Sequence, residues 1–213
     1  REGKASFDPA VKGTNLTPLF DTIIKYIDPP EGNEEESLQL LVSAIDYNDY
    51  VGRIGIGRIE RGVIKANSEV TICDYYNHKQ PYRGKIANVF QIEGLNRINV
   101  PQASVGDIVC FSGIPEITIG DTICSTDNAE PLEFVKIGEP TIQMSFSVNN
   151  GPFAGRDGKY VTSRHLRARL FKETLKDVSL KVQETDSPDS FLVSGRGEMH
   201  FSILIETMRR EGY

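Results

Sequence analysis

From Leu38 to about Thr126 the chain is a succession of short apolar runs broken every few residues by Gly, Asn, Asp or Pro, and this punctuation constrains the fold more than any other feature. The runs "LQLLVSAIDY", "GRIGIGRIERG", "EVTICDYY", "YRGKIANVFQIEG", "VGDIVCFSG" and "GDTICST" are rich in β-branched and aromatic residues and read as strands. Six short strands with no helix between them expose many edges, and closure into a barrel removes those edges. A closed barrel is therefore expected over residues 38–130. Within "GRIGIGRI", Ile54 and Ile56 fall on one face while Arg53, Gly55 and Gly57 fall on the other, which leaves that face stripped of side chains. Barrel curvature and the close approach of a partner backbone both account for such a strip.

After "NAEPLEFVKIGEP" the period changes. "TIQMSFSV" alternates as a strand, "TSRHLRARLFKETLKD" reads as a helix, "VSLKVQET" and "SFLVSGRG" are strands around the turn "DSPD", and "EMHFSILIETMRREG" is a helix. The order β-α-β-β-α lacks only a final strand of the ferredoxin-like split βαβ fold. The fold class is thus mainly β plus α+β: a barrel, then a truncated ferredoxin-like domain over 138–213. In the conventional strand order of that fold, a missing fourth strand leaves "TIQMSFSV" as an unpaired edge. Upstream, Thr17 is placed to cap a helix with Pro18 at its first position and Phe20, Ile23, Ile24 and Ile27 along one side, before Pro29 and Pro30 stop it. The acidic linker "EGNEEES" (31–37) closes this first segment, residues 1–37, whose apolar stripe is expected to belong against a preceding domain. The chain starts at Arg1 and stops at Tyr213 directly after a helical pattern, as a piece of a longer protein would.

At 38% hydrophobic and 25% charged residues, the composition is that of an ordinary globular protein. No apolar run suits a bilayer and no signal-peptide pattern is present, so a cytoplasmic protein with no membrane partner is expected. Cys73, Cys110 and Cys124 form no CxxC pair and sit in strand-like segments, where reduced thiols pack as small hydrophobes. With only His78, His165 and His200 in the chain, and none four residues from another, no metal site is expected. Glu198 and His200 together are better read as part of a structural helix, with Phe201, Leu204, Ile205 and Met208 at core spacing.

The net charge of −6 hides an asymmetry. Arg156, Lys159, Arg164, Arg167, Arg169, Lys172 and Lys176 face only Asp157 and Glu173 over their stretch. On the first C-terminal helix, Arg169, Lys172 and Lys176 share the side opposite Leu166, Leu170 and Phe171. Either this is a solvated surface, with Glu173 pairing to Arg169, or it is an anion-binding face to which Arg156, Lys159 and Arg164 add charge at the helix N-terminus. The loop "VNNGPFAGRDGKYVTSR" (148–164) imitates a phosphate loop but fails as one. Phe153 stands where the first glycine of that motif is needed, and Tyr160 follows Gly158-Lys159 where a short hydroxyl must reach a metal.

Three strings carry a resemblance. "DYNDYVGRIGIGRIERG" (46–62), "VNNGPFAGRDGKYVTSR" (148–164) and "VSGRGEMHFSILIETMRREGY" (193–213) strongly resemble the BipA/TypA family of ribosome-associated translational GTPases, related to elongation factor G and LepA. The likeness covers essentially the whole chain, with Gly151, Met199 and Phe201 standing where serine, leucine and leucine are expected, and with Arg196 marking this branch against elongation factor G. It implies that 1–37 is the last helix or connector of a GTPase domain plus the linker, 38–130 the translation-factor β-barrel, and 138–213 the third domain. It further implies that GTP and Mg²⁺ belong to that GTPase domain and that this chain itself holds no cofactor. The implied partners are ribosomal RNA, ribosomal proteins and the protein's own GTPase domain, with a role in ribosome assembly and stress adaptation. The seven cations above, with Arg53, Arg58 and Arg196, are the candidate ribosome contacts. A standalone β-barrel enzyme or small-ligand binder is the alternative, and it requires a convergent polar site. Self-association is expected through the open edge strand or the stripe of Phe20, Ile23, Ile24 and Ile27.

Overall fold

The computed structural model describes residues 3–76, 80–136, 138–156 and 158–213; Arg1, His78 and Asp157 lie outside the described residues. Two compact units result, Arg1–Gly32 and Asn33–Tyr213. In the first, helix α1 spans Thr17–Tyr26 with a proline in its first turn. The expected cap shifts by one residue. Leu16 is the N-cap and offers no side-chain bond, while the Asn15 side chain accepts the Thr17 amide at 3.0 Å and holds Thr17 inside the helix. No residue of α1 is buried, so the stripe of Phe20, Ile23, Ile24 and Ile27 is exposed.

The second unit is built on a long antiparallel hairpin of β1 (Gln39–Asn48) and β2 (Gly52–Arg61). There follow β3 (Val63–Lys65), β4 (Glu69–Asp74), β5 (Tyr82–Lys85), β6 (Asn88–Glu93), β7 (Asn96–Val100), β8 (Gln102–Ser104), β9 (Ile108–Ser112) and β10 (Asp121–Cys124). The sheet order is β5-β4-β10-β1-β2-β9-β6-β7, and β3 pairs with β8 separately. The hydrogen-bonded ladder is therefore open at β5 and β7, where sequence reading expected a closed one. The covalent chain draws the wrap together instead, because β6 follows β5 after only Ile86 and Ala87. Ile86 is fully buried and bonded to Ser68, and the Ala87 amide donates to the Ser112 carbonyl at 2.7 Å. The run read as one strand, "YRGKIANVFQIEG", thus serves two neighbours, β4 and β9.

The glycines of β2 are demanded by packing within the barrel. A Cβ on Gly55 would lie 2.5 Å from the buried ring of Phe111, and one on Gly57 would overlap the Leu41 carbonyl of the paired strand, beside a register shift between Val42 and Ala44. Of the two readings, close approach of a backbone is the one realised at Gly57, and the backbone belongs to the neighbouring strand. Leu40, Ile59, Val89, Phe111 and Ile123 are among the residues of the core these strands enclose. The three cysteines are buried free thiols, with the sulfurs of Cys73 and Cys124 at 3.5 Å, and burial pushes the Cys110 thiol up.

The C-terminal part has its own core. Strands β11 (Ile142–Ser147), β12 (Lys181–Glu184) and β13 (Ser190–Gly195) form an antiparallel sheet ordered β11-β13-β12, alternating with helices α2 (Ser163–Glu173) and α3 (Glu198–Glu211) in the expected β-α-β-β-α sequence. Leu166 and Leu170 of α2 and Phe201, Leu204 and Met208 of α3 bury against Phe191 and Val193 of the central strand. Thr162 caps α2 by accepting the His165 amide. Gly212, at φ 98°, ends α3 in the left-handed conformation that favours glycine.

Adding one methyl at Gly57 is expected to force β1 and β2 apart and cost about 1–3 kcal/mol, the range for overpacking a tight site. Gly138→Ala, at an exposed position outside any helix or strand where a Cβ meets nothing within 4 Å, is expected to change stability little. Urea unfolding of the two variants checks the contrast; equal midpoints would show that the strands have slack at Gly57.

Candidate nucleic-acid interface

The loop that imitates a phosphate site is tied to the end of α3. The amides of Lys159 and Tyr160 both donate to the Gly212 carbonyl, at 2.7 and 3.1 Å. These two hydrogen bonds to one oxygen accompany a Tyr160 ring that lies 4.8 Å from Tyr213 and 5.1 Å from His165, centroid to centroid. Between α2, this loop and the end of α3 lies a cleft of about 460 Å³ lined by Tyr160, Arg169, Lys172, Lys176, Glu211 and Tyr213 among others.

The candidate cations separate into groups. Arg156 and Lys159 stand exposed on the loop, the guanidinium of Arg156 over the Phe153 ring at 5.0 Å. Arg164 and Arg167 are exposed on another side of α2, beside β12; Arg167 pairs with Glu184 at 2.6 Å and covers the Phe171 ring. Lys176 is exposed at the cleft. Arg58 is exposed on β2 with Glu60 at 3.7 Å, and Arg196 is exposed on the turn between β13 and α3, its carbonyl accepting from Thr141.

Arg169 corrects the expected cationic face. It is only 9% exposed, and its guanidinium is shared between Glu173 one turn along and Glu211 at the end of α3. A buried arginine held by two carboxylates is a strut between helices, and removing it would strand their charges. Lys172 is half-buried and also engaged, with Asp49 at 2.8 Å and the Tyr47 ring at 5.9 Å. Arg53 likewise turns away from solvent. Its guanidinium donates to the carbonyls of Ile117 at 3.0 Å and of Thr174 and Leu175 at 3.3 Å, binding the barrel to the C-terminal end of α2. Burial lowers its pKa, offset by Asp121 and Tyr82. The exposed cations that remain are Arg156, Lys159, Arg164, Arg167, Lys176, Arg58 and Arg196.

Comparison with known proteins gives this surface a context. The family model of elongation factor Tu domain 2 matches residues 52–124, which is most of the barrel. A protein of Bacillus subtilis (strain 168) named large ribosomal subunit assembly factor BipA is 49% identical over 211 residues, 99% of this chain and 34% of its own length. Proteins of the same name from Haemophilus influenzae and Escherichia coli O157:H7 are 47% and 44% identical, again over 99% of this chain and 34% of theirs. The chain belongs to the BipA family. It spans about a third of the length of the curated relatives it matches.

Within this BipA-family chain several site residues escaped sequence reading. Tyr160 was visible only as a defect in a phosphate loop, and Tyr213 only as the last residue; nothing in their spacing of 53 positions signals that the rings meet. Asp49 and Tyr47 lie in the β1–β2 region and gave no sign of reaching Lys172. His200 finds its partner in Asp177, at 2.7 Å, and not in Glu198 of its own turn. Its other ring nitrogen accepts the Arg196 amide at 3.3 Å, so this pair fastens the start of α3 to the turn after α2. Among the described residues, no group of three or more His, Cys, Asp and Glu side chains is arranged to hold a metal.

Burial opposes ionisation of Asp177, but the hydroxyl and amide of Ser179 and the ring of His200 outweigh it and hold the carboxyl below the usual Asp range. A depressed folded pKa means that the unfolded chain takes up the proton first, so the stabilisation is present above about pH 4 and is lost as pH falls through the folded value. Asp177→Asn is expected to lower the urea midpoint at pH 6 and to narrow its gap from the unaltered protein at pH 3. A gap that is the same at both pH values would show that the carboxylate charge contributes nothing.

Proposed function

We propose that this chain is the ribosome-docking portion of a BipA-type translational GTPase, with residues 38–130 as the second domain, 138–213 as the third, and 1–37 as the connector from the GTPase domain. The observation that carries the reading is the 44–49% identity, over 99% of the chain, to proteins named large ribosomal subunit assembly factors. The match of elongation factor Tu domain 2 to residues 52–124 supports the barrel assignment. Its partners are ribosomal RNA and proteins, in the cytoplasm, and the GTPase domain of the intact protein, which supplies GTP binding, Mg²⁺ and hydrolysis. The chain alone neither binds nor hydrolyses GTP. Its glycine-rich loop is closed onto Gly212, and bulky Phe153 and Tyr160 occupy the positions a phosphate cradle leaves open.

Docking rests on the exposed cations Arg156, Lys159, Arg164 and Lys176, which are free to displace counterions from phosphate. Arg169 is a buried brace whose reversal would report misfolding, and Lys172 is already engaged by Asp49 at the surface. No membrane enters the reading; among the described residues, no helix is long and apolar enough to cross one. Self-association at high concentration follows from the free edge of β11 and the exposed stripe on α1.

Co-sedimentation with ribosomes and with separated large subunits, over a salt series, tests the reading. Binding is expected to fall steeply with salt, and the triple variant Lys159→Glu, Arg164→Glu, Lys176→Glu is expected to flatten the log–log slope by about two, at roughly 0.7–0.9 per phosphate contact. Co-sedimentation unaffected by the triple reversal would remove the cationic surface from the reading, and no co-sedimentation at any salt would overturn the reading itself.

A further inference from the structure

We propose that the cleft between α2, the 159–162 loop and the end of α3 is a single-nucleotide pocket: it receives one unpaired RNA base against the Tyr160–Tyr213 pair, with the adjoining phosphates at Lys159 and Lys176. This rests on the docking reading above and names the RNA feature that docking engages.

Three observations converge on the cleft. The first is a preset aromatic wall. Tyr160 and Tyr213 lie 4.8 Å apart with their planes tilted by 34°, and His165 braces Tyr160 edge-on at 5.1 Å, yet the Tyr160 ring residue stays 41% exposed. The amides of Lys159 and Tyr160 on the Gly212 carbonyl hold the wall's backbone, so little ordering remains to be done on binding. A ring fixed with one side in solvent is what a splayed base stacks on, and every base has a π-face to offer.

The second observation is the distribution of charge. The floor holds Arg169 neutralised by Glu173 and Glu211, and Lys172 is engaged by Asp49. Those groups shape the pocket. Lys176 and Lys159 are the exposed cations at its rim: Lys176 lines the cleft, and Lys159 lies against Gly212. An aromatic wall flanked by two exposed cations is complementary to a base flanked by two phosphates.

The third is size. About 460 Å³ accommodates a nucleobase with its ribose and falls within the range of small-ligand sites, but it admits no duplex, whose bases are stacked and paired inside the helix and have no free face to offer. The same chemistry would take a free nucleotide, so the probes must separate strand from monomer.

The test uses fluorescence anisotropy of a 5′-labelled single-stranded octauridylate, a matched RNA duplex and free uridine monophosphate as competitor. The chain has eight tyrosines and no tryptophan, so quenching of its tyrosine emission by the unlabelled octamer reports stacking without any substitution. The single strand is expected to bind at least tenfold tighter than the duplex and to quench emission, and the monomer is expected to compete only in large excess. Tyr160→Phe should keep the affinity, while Tyr160→Leu, with its melt checked against the unaltered protein, should weaken it about tenfold. Lys176→Glu should flatten the salt slope by about one.

Equal binding of strand and duplex without quenching, or an unweakened Tyr160→Leu protein that is folded, would overturn the pocket. If ribosomes still co-sediment in that case, the docking reading stands and only the pocket falls. If ribosomes and octamer both fail to bind, the docking reading falls with it. Monomer binding as tight as the octamer would reassign the cleft to a free nucleotide and overturn the RNA proposal.

Discussion

The arrangement of the second unit depends on one guanidinium. The barrel and the C-terminal sheet have separate cores, and Arg53 of β2 reaches from the first to the carbonyls of Thr174, which caps the end of α2, and of Leu175 just beyond it, while also holding Ile117 of the barrel. The last carbonyls of a helix lack internal partners and carry the negative end of its dipole. An arginine delivered from another core answers both needs at once, with donors in a fixed fork and a charge that survives burial. Lys172 and Asp49 add a second tie close by. Because α2 leads back to the 148–162 loop, the position of the cationic loop relative to the barrel is set largely by what Arg53 holds.

The same logic explains why the charge count of the stretch 156–176 overstates its cationic surface. A positive side chain at the right helical spacing is available to a ligand only if no carboxylate reaches it first. Arg169 has Glu173 four residues away, a pairing visible in sequence, but also Glu211, 42 residues away, which no local rule anticipates. The latter bond turns an apparent surface residue into a brace between α2 and α3. The exposed pairs differ in kind: Arg167 with Glu184 is more than half exposed on both sides, so water and salt compete with it and it is worth no more than about 1 kcal/mol.

What the sequence disclosed, and what it withheld, follows this division between local and distant causes. Alternation in "GRIGIGRI", turn residues around each apolar run, and the change of period after residue 140 are local, and the strands and helices they imply are present. The three-residue strands β3 and β8 were missed because Val63–Lys65 and Gln102–Ser104 are too short to show a period, and β7 because Asn96–Val100 reads as a loop. The split between β5 and β6 was missed because no turn residue marks Ile86-Ala87; the change of partner there is a property of the wrapped sheet. The glycines of β2 were correctly singled out, yet their reason lies in Phe111 and Leu41, far from them in the chain. At the site, the exposed cations were legible and the tyrosine pair was not, since Tyr160 and Tyr213 meet only through the fold.

The C-terminal sheet shows how unevenly two edges of one sheet are protected. On one side β12 is only four residues long, and its ends, Lys181 and Glu184, are charged and engaged with Glu139 and Arg167, features that discourage another strand from adding. On the other side β11 is six residues long and its sequence, Ile142-Gln-Met-Ser-Phe-Ser147, contains no charge and no proline. Its register to β13 is regular from Ile142 through Ser147, so the backbone groups of its far side form an unbroken row. The groove of about 570 Å³ beside it is lined by Met144, Phe146, Tyr160, Ile205 and Met208 among others, so apolar side chains flank that open row. Buried or paired, such a row contributes as any strand does; left to water, it keeps its hydrogen bonds but leaves Ile142 and Met144 partly exposed. The sheet is therefore asymmetric in what it can accept, and only the β11 side offers a further strand both a ladder and an apolar surface.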